Sequence, residues 1–444
     1  MRAVGKTHSA LTRRRAWRTA GSGYQIDAKM AYILPWLFPM SIVFPATFAL
    51  PLANALTVPR LFLFFTIYPT IREIYRKLTG GGYVPVLSDV MVILMTMWMV
   101  IVIVIHQGPK GLIGFGSLSA IEFAAGYFMA RVFFGTPIGF NQFTRVLPIV
   151  VGLVLATALV DTASGQALFA KIGQQMTGGP PVEPFPKRFG LVRAQGSLEH
   201  PILLGIFFVM SSVLLFFSDL KPLRKVFWIG VCLFAMLLPL SSAPILSMTM
   251  AFGLILLLNR VKNIPWATMM IFLVGIFFVA SFMILVDNPV LTLINNLTLD
   301  PQTGVFRTLI WKWALLNIER APLIGIGFDD WMRAEDMPTS IDSLYLVQAI
   351  RFGIPALALL VLALLTTGVT MQSRPLVRYP NPAIDFIRTG LGVCIFIILF
   401  NAFTVHFWGA DWVLLAIVMG MRAGMTEASY MPPFMRGEER GQST

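Results

Sequence analysis

Arg193, the run Glu199-His200-Pro201, Arg307 and Asp342 are the residues whose types and spacing could carry chemistry. Pro201 suits the first position of a helix and His200 its cap. The partial positive charge of a helix start keeps such an imidazole neutral, fit for a base or a hydrogen-bond acceptor, although a plain N-cap has the same appearance. Arg307 falls in the first turn of a helix expected from about Thr303 to Arg320, between Asp300-Pro301 and Ala321-Pro322. A cation there opposes the macrodipole, so stability alone would not choose it. Free amides beside a guanidinium suit a phosphate, whereas the bland alternative is a solvated arginine on an interfacial helix. Trp311, Leu315 and Ile318 follow at helical spacing and would lay that helix on a membrane face.

Further along, Gly325-Ile-Gly327 is weak evidence for phosphate binding and reads more simply as a tight turn. Asp329, Asp330, Glu335 and Asp336 lack a recognisable ligand spacing and read as an acidic loop rather than a metal site. Ser340-Ile-Asp342-Ser-Leu-Tyr345 opens an apolar run, where Asp342 either caps the helix or offers a carboxylate at the membrane boundary. His106 and His406 also stand at the ends of apolar runs. Cys232 and Cys394 lie inside such runs and read as packing residues.

These residues must be positioned by membrane helices. Of the 444 residues 57% are hydrophobic and 12% charged, against about 25% charged in soluble domains, which nearly excludes a water-soluble enzyme. Apolar runs near the 20 or so residues that a bilayer requires occur at roughly 30–50, 52–70, 84–105, 117–134, 146–162, 200–217, 226–240, 242–258, 266–286, 343–366, 389–405 and 407–424. If both ends are cytoplasmic, about 23 of the 34 Lys and Arg fall on that side, so the net charge of +13 records topology and no nucleic-acid partner is needed. The expected organisation is a basic cytoplasmic tail 1–29, helices in 30–162, a first periplasmic loop 163–199, helices in 200–286, a second loop 287–342, helices in 343–424 and a cytoplasmic tail 425–444.

In order, Arg193-Ala-Gln-Gly-Ser-Leu-Glu199-His200-Pro201-Ile-Leu-Leu-Gly205, Arg307 with Trp311, Pro322-Leu-Ile-Gly325-Ile-Gly327 with Trp331, and Ser340-Ile-Asp342-Ser-Leu-Tyr345 resemble the O-antigen ligase and polymerase superfamily over residues 185–365. The resemblance implies an all-α, GT-C-like integral membrane protein of about 12 transmembrane helices with two large periplasmic loops. It implies a glycosyltransferase of the bacterial inner membrane acting at the periplasmic face on a polyprenyl-pyrophosphate-linked oligosaccharide. Arg193 and Arg307 would bind the pyrophosphate, with Glu199, Trp311 and Tyr345 also at the substrate; Asp342 and His200 are the candidates for the base, and no metal or other cofactor is required. Ligases of the superfamily carry a histidine where this chain has Asp342, so the polymerase branch for exopolysaccharide or capsule repeats is favoured over lipid A core ligation. Expected partners are the growing polysaccharide, membrane lipids and chain-length or export proteins. A flippase or transporter is the alternative of another class; it would place ionisable residues near the bilayer midplane, whereas Asp89, Glu122 and Arg351 are the few charges set within spans and the polar candidates gather outside. A membrane acyltransferase using His406 or His200 has no supporting motif.

Overall fold

The computed structural model describes residues 41–261, 301–371 and 378–431, apart from 46, 51–52, 81, 179–181, 183–184 and 338. The tail 1–29, most of the expected span 30–50, the span 266–286, the start of the second loop and the end of the C-terminal tail lie outside the described residues.

The described chain is almost wholly helical, with one exception to the all-α expectation. Strands β1 (Ala49–Leu50) and β2 (Ala53–Thr57) form a short antiparallel hairpin, and α1 starts only at Val58, running to Thr79. The expected span 52–70 is therefore part strand: Pro59 fits the first turn of a helix and sets its start there. There follow α2 (Leu87–Gln107), α3 (Phe115–Phe133), α4 (Pro137–Ser164), α5 (Leu168–Thr177), α6 (Pro201–Phe216), α7 (Pro222–Ala235), α8 (Ser242–Val261), α9 (Pro301–Arg320), α10 (Leu344–Leu365), α11 (Pro382–Asn401) and α12 (Gly409–Ser429). Among the described residues five helices are long and apolar enough to cross a membrane, and the chain is a multi-pass membrane protein.

Three helices overrun the apolar runs that announced them. The helix α4 begins at Pro137 rather than near 146 because Thr136 accepts the Gly139 amide at 3.2 Å and Pro137 takes the first position. In α11 the side chain of Asn381 accepts from the amides of Ala383 and Ile384, so the helix starts at Pro382 rather than 389. The last helix, α12, continues past 424 to Ser429. Hydropathy registers the membrane-soluble part of a helix, whereas capping decides where it begins.

Between α3 and α12 the backbones meet almost without side chains. A β-carbon on Gly424 would stand 2.4 Å from the α-carbon of Gly135, the close approach that small residues permit where lipid offers no hydrophobic drive. Beside this seam sits a buried ionic set. Arg131 pairs with Asp89, lies 3.9 Å from Glu427 and donates to the Val84 carbonyl at 2.8 Å. Asp89 also accepts from Tyr127 (2.7 Å), Tyr83 (3.1 Å) and the Val86 amide (3.0 Å), and Lys77 lies 3.5 Å from Glu427. Removing one partner of a buried pair strands the other charge, at about 3–5 kcal/mol. Arg131→Met is therefore expected to lower stability by about that amount, read by chemical unfolding in detergent; an unchanged midpoint would show that the set is not structural.

The helix α10 is broken. Gly353 has φ 81° and ψ 169°, and a β-carbon there would stand 1.8 Å from the Leu323 carbonyl oxygen, so both conformation and space require glycine. The break frees carbonyls, and the Pro322–Gly327 segment serves them: the Ile326 amide donates to Ile350 (2.8 Å) and the Gly327 amide to Arg351 (3.0 Å), while Trp98 Nε1 donates to Phe352 (2.8 Å). The Ile354 amide in turn donates to Pro322 (2.8 Å). The Gly-x-Gly is thus a turn clipped to a broken helix, its amides spent on protein carbonyls.

Candidate active site

The candidate residues lie between α5 and α6, on α9 and at the start of α10, and several of them hydrogen-bond the α7–α8 and α11–α12 links. Each of the two loops that carry them is tied down by one buried polar side chain. In the first, Asp161 near the end of α4 accepts from the Leu168 amide (3.0 Å) at the start of α5 and from the amides of Gln195 (3.3 Å) and Gly196 (2.8 Å). This fixes the segment between Arg193 and His200. In the second, Asn317 on α9 both accepts from the Met332 amide (2.9 Å) and donates to the Met332 carbonyl (2.8 Å). Neither residue is singled out by sequence. The signal available was a lone polar residue on an otherwise apolar helix face close to a long loop.

His200 is the N-cap of α6: its backbone is extended and its Nδ1 accepts the Ile202 amide at 3.1 Å. Its ring is held edge-on between Phe185 (4.7 Å between centroids) and Trp408 (5.8 Å). Burial first, and then the positive fields of Arg193, Arg307 and Arg188, push the imidazole down to about 3, so it is neutral at any physiological pH. Three guanidinium groups from two separate loops thus act on one ring. Arg193 is buried and its Nε donates to the Pro239 carbonyl at 3.2 Å; Arg188 donates to Leu240 at 2.8 Å, so both lean on the turn between α7 and α8. Arg188 was not expected here.

Arg307 lies deeper in its helix than the sequence suggests. The helix α9 starts at Pro301, which puts Arg307 in the second turn, beyond the reach of most of the macrodipole. What acts on it is burial, which lowers its affinity for a proton, and the opposing field of Asp342. Asp342 is half-buried and does not cap α10: that role belongs to Ser343, whose hydroxyl accepts from Leu346 (3.4 Å) and donates to Ala402 (2.9 Å). The carboxylate is therefore not spent on the helix start.

The expected stripe Trp311-Leu315-Ile318 does not act as one face. Ile310 and Ala314 form the buried side of α9, packed with Leu346, Val347 and Ile350 of α10, while Leu315 is exposed. Trp311 turns to the link between α11 and α12, where its Nε1 donates to the Phe403 carbonyl (3.2 Å) and its ring stacks on Phe403 at 6.2 Å. Tyr345 meets the same Phe403 ring at 4.9 Å and donates to the Leu399 carbonyl at 2.8 Å. Trp311 and Tyr345 are thus brought together by an exposed phenylalanine that sequence did not single out.

Glu199, expected at the substrate, is tied to the last helix. Its carboxylate accepts from the Ala410 amide in the first turn of α12, and the ionisable groups near it are Glu122, Arg60 and Asp411. Gly409 makes room, since with φ +58° a β-carbon there would lie 2.0 Å from Glu199 Oε1. Burial is the first cause that raises the Glu199 carboxyl to about 7. The unfolded chain ionises near the ordinary value of 4.5, so between 4.5 and 7 the folded state binds more protons. Stability from this group is complete below about 4.5 and is lost as pH rises through about 7. In thermal unfolding over pH 4 to 9, Glu199→Gln is expected to flatten that fall; a variant with the wild-type slope would assign the slope elsewhere.

Three of the charges within apolar helices have close partners. Glu122 lies 2.9 Å from Arg60, Asp89 is held by the Arg131 set, and Arg351 lies over the Phe328 ring (4.5 Å) and 3.4 Å from the Gly327 carbonyl. His406 packs against Trp408 at 5.1 Å, also held neutral by burial and Arg351, while His106 lies against Gly327. Of the acidic loop residues, Asp330 pairs with Arg333, and among the described residues no three His, Cys, Asp or Glu come together as metal ligands.

Residues 226–361 match the family model described as O-Antigen ligase, which supports membership of the O-antigen ligase and polymerase superfamily. The match runs from α7 into α10; it includes Arg307, Trp311, Asp342 and Tyr345 and leaves Arg193, Glu199 and His200 outside. A comparison with curated proteins gives no match.

Proposed function

We propose that this member of the O-antigen ligase and polymerase superfamily polymerises oligosaccharide repeat units carried on a polyprenyl pyrophosphate, at the periplasmic face of the bacterial inner membrane. The observation that carries the reading is that Arg188 and Arg193 both hydrogen-bond the turn between α7 and α8 close to His200, where their positive fields join that of Arg307, which in turn feels the field of Asp342. A pyrophosphate is a good leaving group once its charge is met, and guanidinium groups pair with phosphate oxygens without a metal. Asp342 takes the proton of the acceptor hydroxyl as that oxygen bonds to the anomeric carbon. The glycosyl–phosphate bond breaks with its electron pair remaining on the pyrophosphate.

A transporter reading is less well supported, because Glu122, Asp89 and Arg351 are committed to partners inside the helix bundle. The test is to incubate the purified full chain with lipid-linked repeat units and no other acceptor. Polymer together with released polyprenyl pyrophosphate is expected. Release only on addition of a separate lipid acceptor would make the protein a ligase, and no release at all would overturn glycosyl transfer.

A further inference from the structure

We infer that His200 serves the donor as a hydrogen-bond donor, presenting Nε2–H to the pyrophosphate, and that it is not the base for the acceptor hydroxyl; this rests on the donor site proposed above. A neutral imidazole has one N–H and one lone pair on its two nitrogens. In this ring the lone pair is already used, since Nδ1 accepts the Ile202 amide at 3.1 Å. The proton therefore resides on Nε2, and that nitrogen has no lone pair in the ring plane with which to accept another. To act as a base, the ring would have to shift its proton to Nδ1 and strip α6 of its cap, next to a helix whose first turn is buried.

The surroundings oppose protonation as well. Phe185 and Trp408 hold the ring by their edges, and burial and the positive fields of Arg193, Arg307 and Arg188 all act against a further proton. A second proton would add a cation to three others, whereas a neutral N–H adds a donor at no cost in repulsion. Such a group is matched to an anion. During transfer no proton leaves His200: the hydroxyl proton goes to Asp342, and the pyrophosphate oxygen that gains the electron pair is met by Nε2–H together with the guanidinium groups.

Two substitutions separate this role from the helix cap. His200→Asn keeps a side-chain oxygen suited to an N-cap and is too short to reach the ligand as a donor. His200→Gln retains an N–H at nearly the reach of Nε2. The purified full chain, in nanodiscs, is titrated with a polyprenyl pyrophosphate that carries no sugar, and kcat and KM are measured with lipid-linked repeat units. A hydrogen bond to a charged group is worth about 1.5–3 kcal/mol, so His200→Asn is expected to weaken binding of the bare lipid pyrophosphate at least about tenfold, with His200→Gln restoring most of it. Loss of a base would leave that affinity unchanged and lower kcat alone, and this result would overturn the inference, as would full activity in His200→Asn. Should the Asn variant unfold at a lower temperature than wild type, the comparison of wild type with Gln decides: a Gln variant that binds normally yet is inactive assigns the base to His200. Absence of polymer from the wild-type protein would instead overturn the polymerase reading.

Discussion

Asp342→Asn is expected to lower kcat for polymer formation by about 100- to 10,000-fold, the usual contribution of a positioned base, while binding of the lipid-linked donor changes little. Ser343 has taken the helix cap, so Asp342 stands at the mouth of α10, within the electrostatic reach of Arg307, with its carboxylate uncommitted to the helix. Asparagine preserves size and removes only the capacity to accept a proton. Single-turnover measurements with labelled repeat units would read the chemical step directly, and a variant within threefold of wild type would transfer the base role to another group.

Arg307→Ala is expected to lose about 1000-fold in rate and to weaken donor binding as well, because in the proposed reaction the guanidinium would meet the pyrophosphate in the ground state and more strongly as the leaving group gains charge. Lysine at this position should recover only part of the loss, since it is a point charge where the arginine fork can engage two oxygens at once. Measurement of released polyprenyl pyrophosphate, with the folded state checked by thermal unfolding, distinguishes loss of chemistry from loss of structure. An Arg307→Ala variant that still makes polymer at the wild-type rate would remove the central pillar of the proposed function.

What could be read from the chain depended on how local the cause was. The helix α6 was legible to within a residue because Glu199-His200-Pro201 writes its own start. The loop helix was legible from its flanking prolines, although its first turn extends to Pro301 and moves Arg307 out of the helix start. The hairpin over 49–57 and the polar first turns of α4 and α11 were hidden, since hydropathy does not report where backbone amides are satisfied. Asp161 and Asn317 were hidden for a different reason. Their importance lies in amides 34 and 15 residues away, and no local pattern announces such a partner.

The break in α10 bears on how the protein is made. Within a bilayer the bare carbonyls of Ile350 and Arg351 would each cost several kcal/mol. Their donors, the amides of Ile326 and Gly327, precede them in the chain and leave the ribosome first. The stretch that mends the helix is therefore made before the segment that needs it. Neither the 322–327 turn nor the break at Gly353 satisfies its backbone without the other, so the two stand or fall as one unit.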